Sequence, residues 1–411
     1  MDNPLAAERW MRRALELAER GRGQVAPNPL VGCVIVRHGR ILAEGWHAKL
    51  GQAHAEAHAL AQLHAAGDNA AGATVYVSLE PCSHYGRTPP CADALIAAGV
   101  AEVVIACQDP NPCVDGRGIA KLQAAGIRVY SGILAEEAAR QNEVFFTNQR
   151  HKRPFVLYKS AMTLDGKIAT SSGASRWVTG EASRARVQQW RSEYDAIAVG
   201  IHTVLQDNPQ LTCRLEAGRS PVKVIFDSQA RTPTSARLFD PDPQGDKARV
   251  LIVCQHSADP ARRAALQAKG AELILLPSMS ATGSAATSTA TPTATGTATG
   301  TATGTGISTS AALPAMASGV DIGQALQHLH SQQLSSVLLE GGGQLAWSFF
   351  AQRCVDKVAV FVAPKLVGGN GASPLTGAGV ASMDDAWQLE HMRSERLGDD
   401  TLFCGYVRYR Q

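Results

Sequence analysis

Short apolar runs alternate with helical periodicities along most of this chain. Runs rich in Val, Ile and Leu that are bounded by turn residues predict strands, and apolar residues three and four positions apart predict helices. Strands and helices that alternate over short connections are typical of an α/β domain. Over the first third of the chain the pattern predicts strands at 31–36, 41–45, 73–79, 103–107 and 128–130, and helices at 4–21, 54–66, 91–98 and 118–125.

The same alternation continues after a predicted connecting helix at 136–150. Residues 203–214 are predicted to form a loop after the buried strand 196–200, and loops at strand ends are the usual place for ligands in an α/β sheet. The remaining predictions are strands at 155–161, 222–226, 272–276, 336–339, 358–362 and 401–409, and helices at 181–193 and 322–332.

Residues 277–320 differ from the rest of the chain in composition. They consist mainly of Ser, Thr, Ala and Gly with a repeated Thr-Ala-Thr-Gly, and they have no apolar period and almost no charge. Such a segment cannot bury enough surface to offset its ordering entropy. We therefore predict a disordered insertion at about 278–319, inside a second domain of residues 149–411 that follows a first domain of residues 1–148.

Length and charge limit the classes of function. The 411 residues suffice for two or three domains, and the net charge of +3 gives no reason to expect a nucleic-acid or membrane partner. The sequence shows no secretion signal and no apolar run near the roughly 20 residues that span a bilayer. The nine cysteines, an odd number without a secreted spacing pattern, indicate free thiols in a reducing cytoplasm.

One short stretch carries the candidate chemistry. It contains His54-Ala-Glu56, then Pro-Cys82, then Pro-Pro-Cys91. One imidazole and two thiolates can hold Zn²⁺ and leave a fourth position for water, whose pKa the metal lowers from about 15.7 to near neutrality. Glu56 is a carboxylate that need not be a ligand and can carry a proton. A His-x-Glu followed by Pro-Cys and a second Cys is the signature of zinc nucleobase deaminases.

The spacing of the two cysteines is wider than the usual Pro-Cys-x-x-Cys. Residues 83–90 separate them, so we expect a loop over the metal that offers His84 and Arg87 to a substrate. The run Leu-Glu-Pro-Cys-Ser-His-Tyr-Gly-Arg-Thr-Pro-Pro-Cys, which ends at Cys91, resembles the deaminase half of the bifunctional riboflavin-biosynthesis deaminase/reductases. The run Met-Thr-Leu-Asp-Gly-Lys-Ile-Ala from Met162 resembles the start of the reductase half of the same family.

The resemblance implies the fold, the reactions and the cofactors. The first domain would be a cytidine-deaminase-like three-layer domain, and the second a dihydrofolate-reductase-like α/β domain. The first would deaminate 2,5-diamino-6-(5-phosphoribosylamino)pyrimidin-4-one with one Zn²⁺ per chain. The second would reduce the ribosyl group to ribityl with NADPH. The partner would thus be a small phosphorylated pyrimidine, and we expect a homo-oligomer.

The resemblance also implies a set of site residues. Glu56 would be the catalytic proton shuttle, and His54, Cys82 and Cys91 would be the zinc ligands. The substrate contacts would be Asn28, His84, Ser175, Arg191, Leu211, Arg214 and Glu340, with His47 as a further candidate beside Asn28. The cofactor contacts would be Ala161, Trp177, Thr203, Asp207, Ser228, Gly342 and Gly343.

Residue chemistry is compatible with several of these assignments, and the resemblance favours them over a turn role for Asn28 and solvated surface roles for the two arginines. Asn28 stands between two prolines before a strand, where its amide can both donate and accept at the polar edge of a pyrimidine. Arg191 and Arg214 could grip a phosphate as forked donors. Ser228 and Arg231 follow a strand where an adenosine 2′-phosphate could bind, so Arg231 would favour NADPH over NADH.

A glycine motif follows the strand 336–339. Gly341, Gly343 and Ala346 fit Gly-x-Gly-x-x-Ala, the dinucleotide fingerprint. Ala363-Pro364 stands where a Rossmann domain would carry an acid, so the motif is weak evidence for that fold. Glycines nevertheless allow close backbone approach, and a helix N-terminus can offer amides to a pyrophosphate.

Other interpretations stay open on the sequence alone. The cysteines could form a closed structural zinc site with Cys107, Cys113 or His84 as fourth ligand, or be unrelated buried thiols. The chain could be a nucleoside or RNA-base deaminase whose second half is a non-catalytic binding module, or a zinc-stabilised structural protein without catalysis.

Overall fold

A computed structural model describes residues 4–85, 89–242, 245–278 and 319–410. Arg87 and nearly all of the predicted insertion at 278–319 lie outside these residues. Within them, no helix combines the length and the apolar character that crossing a membrane requires.

The first half forms a five-stranded sheet within the described residues, in the order β2-β1-β3-β4-β5. Strand β1 is antiparallel to both neighbours, and β3, β4 and β5 are parallel. The strands are β1 (Gly32–Arg37), β2 (Arg40–Trp46), β3 (Thr74–Leu79), β4 (Glu102–Cys107) and β5 (Arg128–Ser131), and the helices are α1 (Pro4–Glu19), α2 (Ala55–Ala65), α3 (Cys91–Ala97) and α4 (Arg117–Ala124).

Side-chain alternation along β1 divides the core of this half into two layers. Val34 and Val36 face one side, where they pack with residues of α1 such as Met11. Cys33 and Ile35 face the other side, where they pack with residues of α2, α3 and α4. Helices therefore cover both faces of the sheet, which is the predicted three-layer arrangement.

The connector between the two sheets consists of two helices. These are α5 (Ala135–Gln141) and α6 (Glu143–His151), and the single helix predicted at 136–150 is therefore wrong. The break falls at Asn142, which has φ −102° and ψ 23°. Its buried side chain hydrogen-bonds the backbone of Leu30 instead of facing solvent.

The second half forms a nine-stranded sheet within the described residues, in the order β10-β9-β8-β7-β11-β6-β12-β14-β13. The first seven strands of this order are parallel, and β13 and β14 add an antiparallel edge. The strands are β6 (Phe155–Thr163), β7 (Ala196–Gly200), β8 (Val222–Phe226), β9 (Val250–Gln255), β10 (Ala271–Leu276), β11 (Ser336–Leu339), β12 (Lys357–Ala363), β13 (Gln388–Leu397) and β14 (Asp400–Arg408). The helices are α7 (Glu181–Glu193), α8 (Ile201–Asp207), α9 (Pro260–Ala268), α10 (Ile322–Ser331) and α11 (Gly343–Ala351).

Buried residues cover both faces of this sheet. Helices α10 and α11 pack on one face through Leu326 and Phe349, and α7 packs on the other through Val187. Since β6, β7, β8 and β11 are parallel, their carboxyl ends meet at one edge of the sheet. The predicted reductase residues that follow these strands are therefore neighbours.

The structure changes one further prediction and adds three elements. Thr203 and Asp207 lie on α8, so the prediction that both belong to a loop is wrong, and the loop begins at Asn208, whose φ of 42° ends the helix. Strands β9 and β13 and helix α9 were not predicted. The exposed strand β13 carries no alternation of buried and exposed residues that could mark it.

Candidate active sites

Three candidate zinc ligands lie together in the first half. His54 immediately precedes α2, Cys91 is the first residue of α3, and Cys82 follows β3. His54 Nδ1 lies 3.6 Å from Cys82 Sγ and 3.4 Å from Cys91 Sγ. A tetrahedral zinc ion with Zn–N near 2.0 Å and Zn–S near 2.3 Å separates such atoms by about 3.5 Å. Both nitrogen–sulfur distances therefore fit a zinc ion held by these three residues.

The cluster leaves the fourth position to a non-protein ligand. Groups of three or more His, Cys, Asp or Glu residues can hold a metal ion. Among the described residues, only His54, Cys82 and Cys91 form such a group with all ligand atoms within 4.8 Å of one another. The Cys107 thiol instead donates to the carbonyl of Ser78, and Cys113 is exposed. A closed structural site is thus not what the geometry supports.

The electrostatics of the cluster favour a thiolate at Cys82. The Cys91 thiol and the His54 ring hydrogen-bond Cys82, and they lower the pKa of Cys82 against the opposing effect of burial. The backbone N–H of Cys91 also donates to Cys82 Sγ over 3.3 Å. Such outer-sphere donors hold a sulfur ligand in the orientation that a metal requires.

Glu56 lies beside the cluster on the first turn of α2. Only 3% of its surface is exposed. Burial, reinforced by the negative charge of Cys82, raises the pKa of Glu56 to about 7. A carboxyl group of this kind can both accept and return a proton near neutral pH.

Asn28 is held beside the cluster by His47. His47 Nδ1 lies 3.1 Å from the carbonyl of Ala53, and its Nε2 lies 3.2 Å from Asn28 Nδ2. Burial lowers the pKa of His47, so the neutral ring donates from Nδ1 and accepts at Nε2. The ring centroids of His47 and His54 are 5.4 Å apart. This chain of contacts fixes the orientation of the Asn28 amide next to the metal ligands.

Glu80 has a supporting role that the sequence interpretation missed. Its buried carboxylate follows β3 and accepts four backbone N–H groups, from Asp109, Gly116, Gly118 and Ile119. It thereby ties the start of α4 and the turn after β4 to the segment that carries Cys82. The sequence could have indicated this role, because Leu-Glu-Pro-Cys places an acid directly after a buried strand.

The second site is built around Glu340, which follows β11. Its carboxylate accepts from Arg191 Nε over 2.8 Å and from Arg191 Nη2 over 3.0 Å, and Lys159 Nζ lies 3.4 Å away. Burial alone would raise the pKa of Glu340, but the charges of Arg191 and Lys159 lower it to about 2. Arg191 also donates to the carbonyl of Thr212 over 3.1 Å, so most of its donors face the protein rather than a phosphate. Lys159 was missed, although a lysine within an apolar strand signals a buried partner.

The other predicted reductase residues surround the same edge of the sheet. Leu211 is buried and has a φ of 58°, and Arg214 is exposed. The ring of Trp177 is 59% exposed and has the Arg184 guanidinium 4.8 Å from its centroid. Ala161 lies on β6, Ser175 on the segment before α7, and Ser228 directly after β8.

The consecutive glycines after β11 have different surroundings. Helix α11 begins at Gly343, where a Cβ would lie 2.8 Å from Ser373 O and from Thr376. The backbone of residues 373 and 376 thus comes too close for a side chain, which explains why residue 343 is a glycine. A Cβ on Gly342 would have Thr203 Oγ1 as its nearest neighbour, 4.0 Å away. This glycine leaves an open surface beside α8 that a cofactor can approach.

Each half of the chain matches a known protein family. Residues 5–107 match the cytidine and deoxycytidylate deaminase zinc-binding region, and residues 154–403 match the RibD C-terminal domain. The riboflavin biosynthesis protein RibD of Actinobacillus pleuropneumoniae is 42% identical over 394 residues, which cover 96% of this chain and 93% of the relative. The corresponding protein of Escherichia coli is 37% identical over 406 residues, with 96% and 97% covered.

The chain belongs to the RibD family. Among solved structures, the diaminohydroxyphosphoribosylaminopyrimidine deaminase/5-amino-6-(5-phosphoribosylamino)uracil reductase of Thermotoga maritima superposes with a TM-score of 0.76 at 34% identity, covering 98% of this chain and 99% of that one. Acinetobacter baumannii RibD gives a TM-score of 0.78 at 33% identity, covering 99% and 100%.

RibD membership confirms the predicted class of enzyme. The chain is a zinc-dependent deaminase and an NADPH-dependent reductase of riboflavin biosynthesis, with a cytidine-deaminase-like first half and a reductase second half. A non-catalytic second half is not favoured, because that half matches the RibD reductase domain. The roles of individual residues stay predictions.

Proposed function

We propose that this chain carries out two consecutive reactions on one phosphorylated pyrimidine. The first half removes the amino group of 2,5-diamino-6-(5-phosphoribosylamino)pyrimidin-4-one, and the second half reduces the ribosyl group of the resulting uracil. The substrate named for the Thermotoga maritima relative supports this choice. The observation that carries it is an open three-ligand zinc cluster beside a buried glutamate, in one chain with a reductase sheet.

In the deaminase site, His54, Cys82 and Cys91 would hold Zn²⁺, which when bound supplies a water acidified to near neutrality. Glu56 would carry both protons of the attacking water in turn, the first to the ring nitrogen and the second to the amino group, which then leaves as ammonia. Asn28, fixed by His47, would bind the polar edge of the pyrimidine.

His84 would contribute a further contact from the loop over the site. The turn at Asp109 would close the neighbouring side, which is supported by the effect of the His84 and Cys82 charges on the Asp109 carboxyl group. Burial raises the pKa of Asp109 to about 6.

In the reductase site, NADPH supplies a hydride. Together with a proton from solvent, this hydride would reduce C1 of the opened ribosyl group and give the ribitylamino product. We propose that Glu340 contacts the substrate while Arg191 and Lys159 keep its carboxylate ionised and in place. Ser175, Leu211 and Arg214 would complete the substrate contacts, and Ala161, Trp177, Thr203, Asp207, Ser228, Gly342 and Gly343 would line the cofactor site.

We propose that Arg231 sets the preference for NADPH over NADH. Its side chain is 41% exposed and lies beside the fully buried carboxylate of Asp227, with Nε and Oδ1 4.0 Å apart. This placement leaves the guanidinium accessible to a 2′-phosphate. Arg231→Ala should lower the preference for NADPH over NADH, and an unchanged ratio of the two turnover rates would remove the assignment.

We further propose a homo-oligomer formed through the edge of the reductase sheet. Among the described strands, β13 is the last of the sheet, so one side of its backbone can pair with a second copy. Leu389, Met392 and Phe403 are exposed on this hairpin. Met392→Glu should reduce the mass measured by light scattering, and an unchanged mass would exclude this edge.

The domain boundary and the compartment are proposals as well. A boundary between residues 148 and 149 is supported by the two family matches, which end at 107 and begin at 154. A cytoplasmic location is supported by the nine cysteines, all of which are free.

The deciding experiment follows NADPH consumption from the un-deaminated diaminopyrimidine phosphate. The parent protein should consume NADPH, and Glu56→Gln should lower the rate at least about 100-fold because the proton shuttle is lost. Supplying the deaminated uracil should restore consumption in the variant. No consumption by either protein, even with the uracil, would contradict the proposed substrate of the reductase half.

A further inference from the structure

Three consecutive side chains at the junction of α5 and α6 reach three different parts of the molecule. Gln141 Nε2 donates to the carbonyl of Leu15 in α1 over 2.8 Å. Asn142 hydrogen-bonds Leu30, in the loop before β1. Glu143 accepts from Lys357 Nζ of the reductase sheet over 2.9 and 3.0 Å. The break between the helices allows neighbouring residues to point in these separate directions.

The contact of Asn142 resembles the pairing of one strand residue with another. The N–H of Leu30 donates to Asn142 Oδ1 over 2.8 Å, and Asn142 Nδ2 donates to the carbonyl of Leu30 over 2.9 Å. Asn142 is 3% exposed, so the two hydrogen bonds are shielded from water. They satisfy both backbone groups of a buried residue that precedes the first strand.

Leu30 lies two residues after Asn28, the proposed pyrimidine contact. Its side chain packs with Ala18 and Val25, and its backbone is held by Asn142. Beyond it, Gly32 N–H donates to Ser78 Oγ over 3.0 Å as β1 begins. The loop that carries Asn28 is therefore fixed from the connector on one side and from the sheet on the other.

We propose that Asn142 is a positioning residue for deamination, which sets the substrate loop through Leu30 and so places the Asn28 amide against the pyrimidine. The inference rests on the proposed role of Asn28. It assigns to the α5–α6 connector a function in the deaminase reaction in addition to joining the two halves.

Asn142→Ala is the direct test, assayed by ammonia release from the diaminopyrimidine phosphate. Removing the side chain leaves the Leu30 N–H and C=O without partners and loosens the loop. The KM for deamination should rise at least about tenfold, while kcat changes less than about threefold, because Glu56 and the zinc ligands lie on other segments. NADPH consumption with the deaminated uracil, and the zinc content, should stay at parent values.

Glu143→Gln is the matched control. It alters the adjacent residue and weakens the contact with Lys357 without touching Leu30, so the KM for deamination should stay within about twofold of the parent value. Should the alanine variant fail to fold, Asn142→Asp keeps the acceptor for the Leu30 N–H and removes the donor to its carbonyl. The KM should again rise.

A double-mutant cycle with Asn28→Ala separates positioning from a general structural effect. If Asn142 acts through Asn28, adding Asn142→Ala to Asn28→Ala should change KM by less than about twofold. The inference would be overturned if Asn142→Ala raised KM by the same factor in the parent protein and in the Asn28→Ala variant. It would also be overturned if Asn142→Ala alone left KM unchanged. No effect of Asn28→Ala by itself would instead show that the proposed pyrimidine contact is wrong.

Discussion

Glu340 offers a quantitative test of how the reductase site is held together. Glu340→Gln keeps the size of the side chain and removes its charge. Arg191, whose side chain is 15% exposed, would then lose the bidentate ion pair, and Lys159 would lose its nearby anion. Removing one partner of a buried ion pair is strongly destabilising because the other charge stays desolvated.

The magnitude follows from the pKa of Glu340. The structure lowers this pKa from 4.5 to about 2. Each pKa unit corresponds to about 1.4 kcal/mol, so the ionised Glu340 stabilises the folded state by about 3 kcal/mol at pH 7. We expect Glu340→Gln to lower the unfolding free energy of the reductase half by about this amount.

The pH dependence has a definite sign. Because the folded pKa lies below the unfolded one, the stabilisation is fully present above about pH 4.5 and is lost as the pH falls towards 2. The difference in unfolding free energy between parent and variant should therefore be constant from pH 7 to about pH 5.5, and should shrink to about 2 kcal/mol at pH 3.5.

Urea unfolding of the intact chain, followed by tryptophan fluorescence, measures this difference. The transition that NADPH shifts to higher urea reports the reductase half. Glu395→Gln is the matched control, since Glu395 also pairs with an arginine, Arg186, but its side chain is 50% exposed. Glu395→Gln should lower the unfolding free energy by less than about 1 kcal/mol. An equal effect of both variants, or a difference that grows towards acid pH, would refute the electrostatic explanation.

Three further predictions concern Glu80 and the two glycines at the start of α11. Glu80→Gln should lower the unfolding free energy of the deaminase half by about 2–3 kcal/mol, since its charged carboxylate accepts four backbone N–H groups; a urea titration showing no change would mean that the cluster is not stabilising. Gly343→Ala should destabilise the reductase half by about 1–3 kcal/mol because its Cβ would lie 2.8 Å from Ser373 O. Gly342→Ala should leave the unfolding free energy unchanged and raise the KM for NADPH. If urea unfolding showed Gly342→Ala to be the more destabilising variant, and kinetics showed the larger KM effect for Gly343→Ala, the surroundings described for the two glycines would be wrong.

Local patterns made much of the fold predictable. The predicted elements 181–193, 196–200, 222–226 and 336–339 have the observed bounds, because buried strands and amphipathic helices carry their periodicity in the chain itself. Helix α8 was missed because it is short and stands before an Asn-Pro pair typical of a loop. Strand β13 was missed because its side chains are exposed at the sheet edge, so no apolar alternation was needed.

The sequence by itself determined the chemistry of the metal cluster. His54, Glu56, Cys82 and Cys91 fall within one short stretch, so their residue types and spacing were enough to predict a zinc deaminase before their distances were known.

Only the tertiary structure decided which distant residues support that chemistry. Lys159 and Arg191 meet at Glu340, and Asn142 meets Leu30 from 112 positions away. Hydrophobic periodicity fixes which face of an element is buried but not which element lies beside it. The partner of a buried charge or amide is therefore set by the order of strands in the sheet and by the path of the connector.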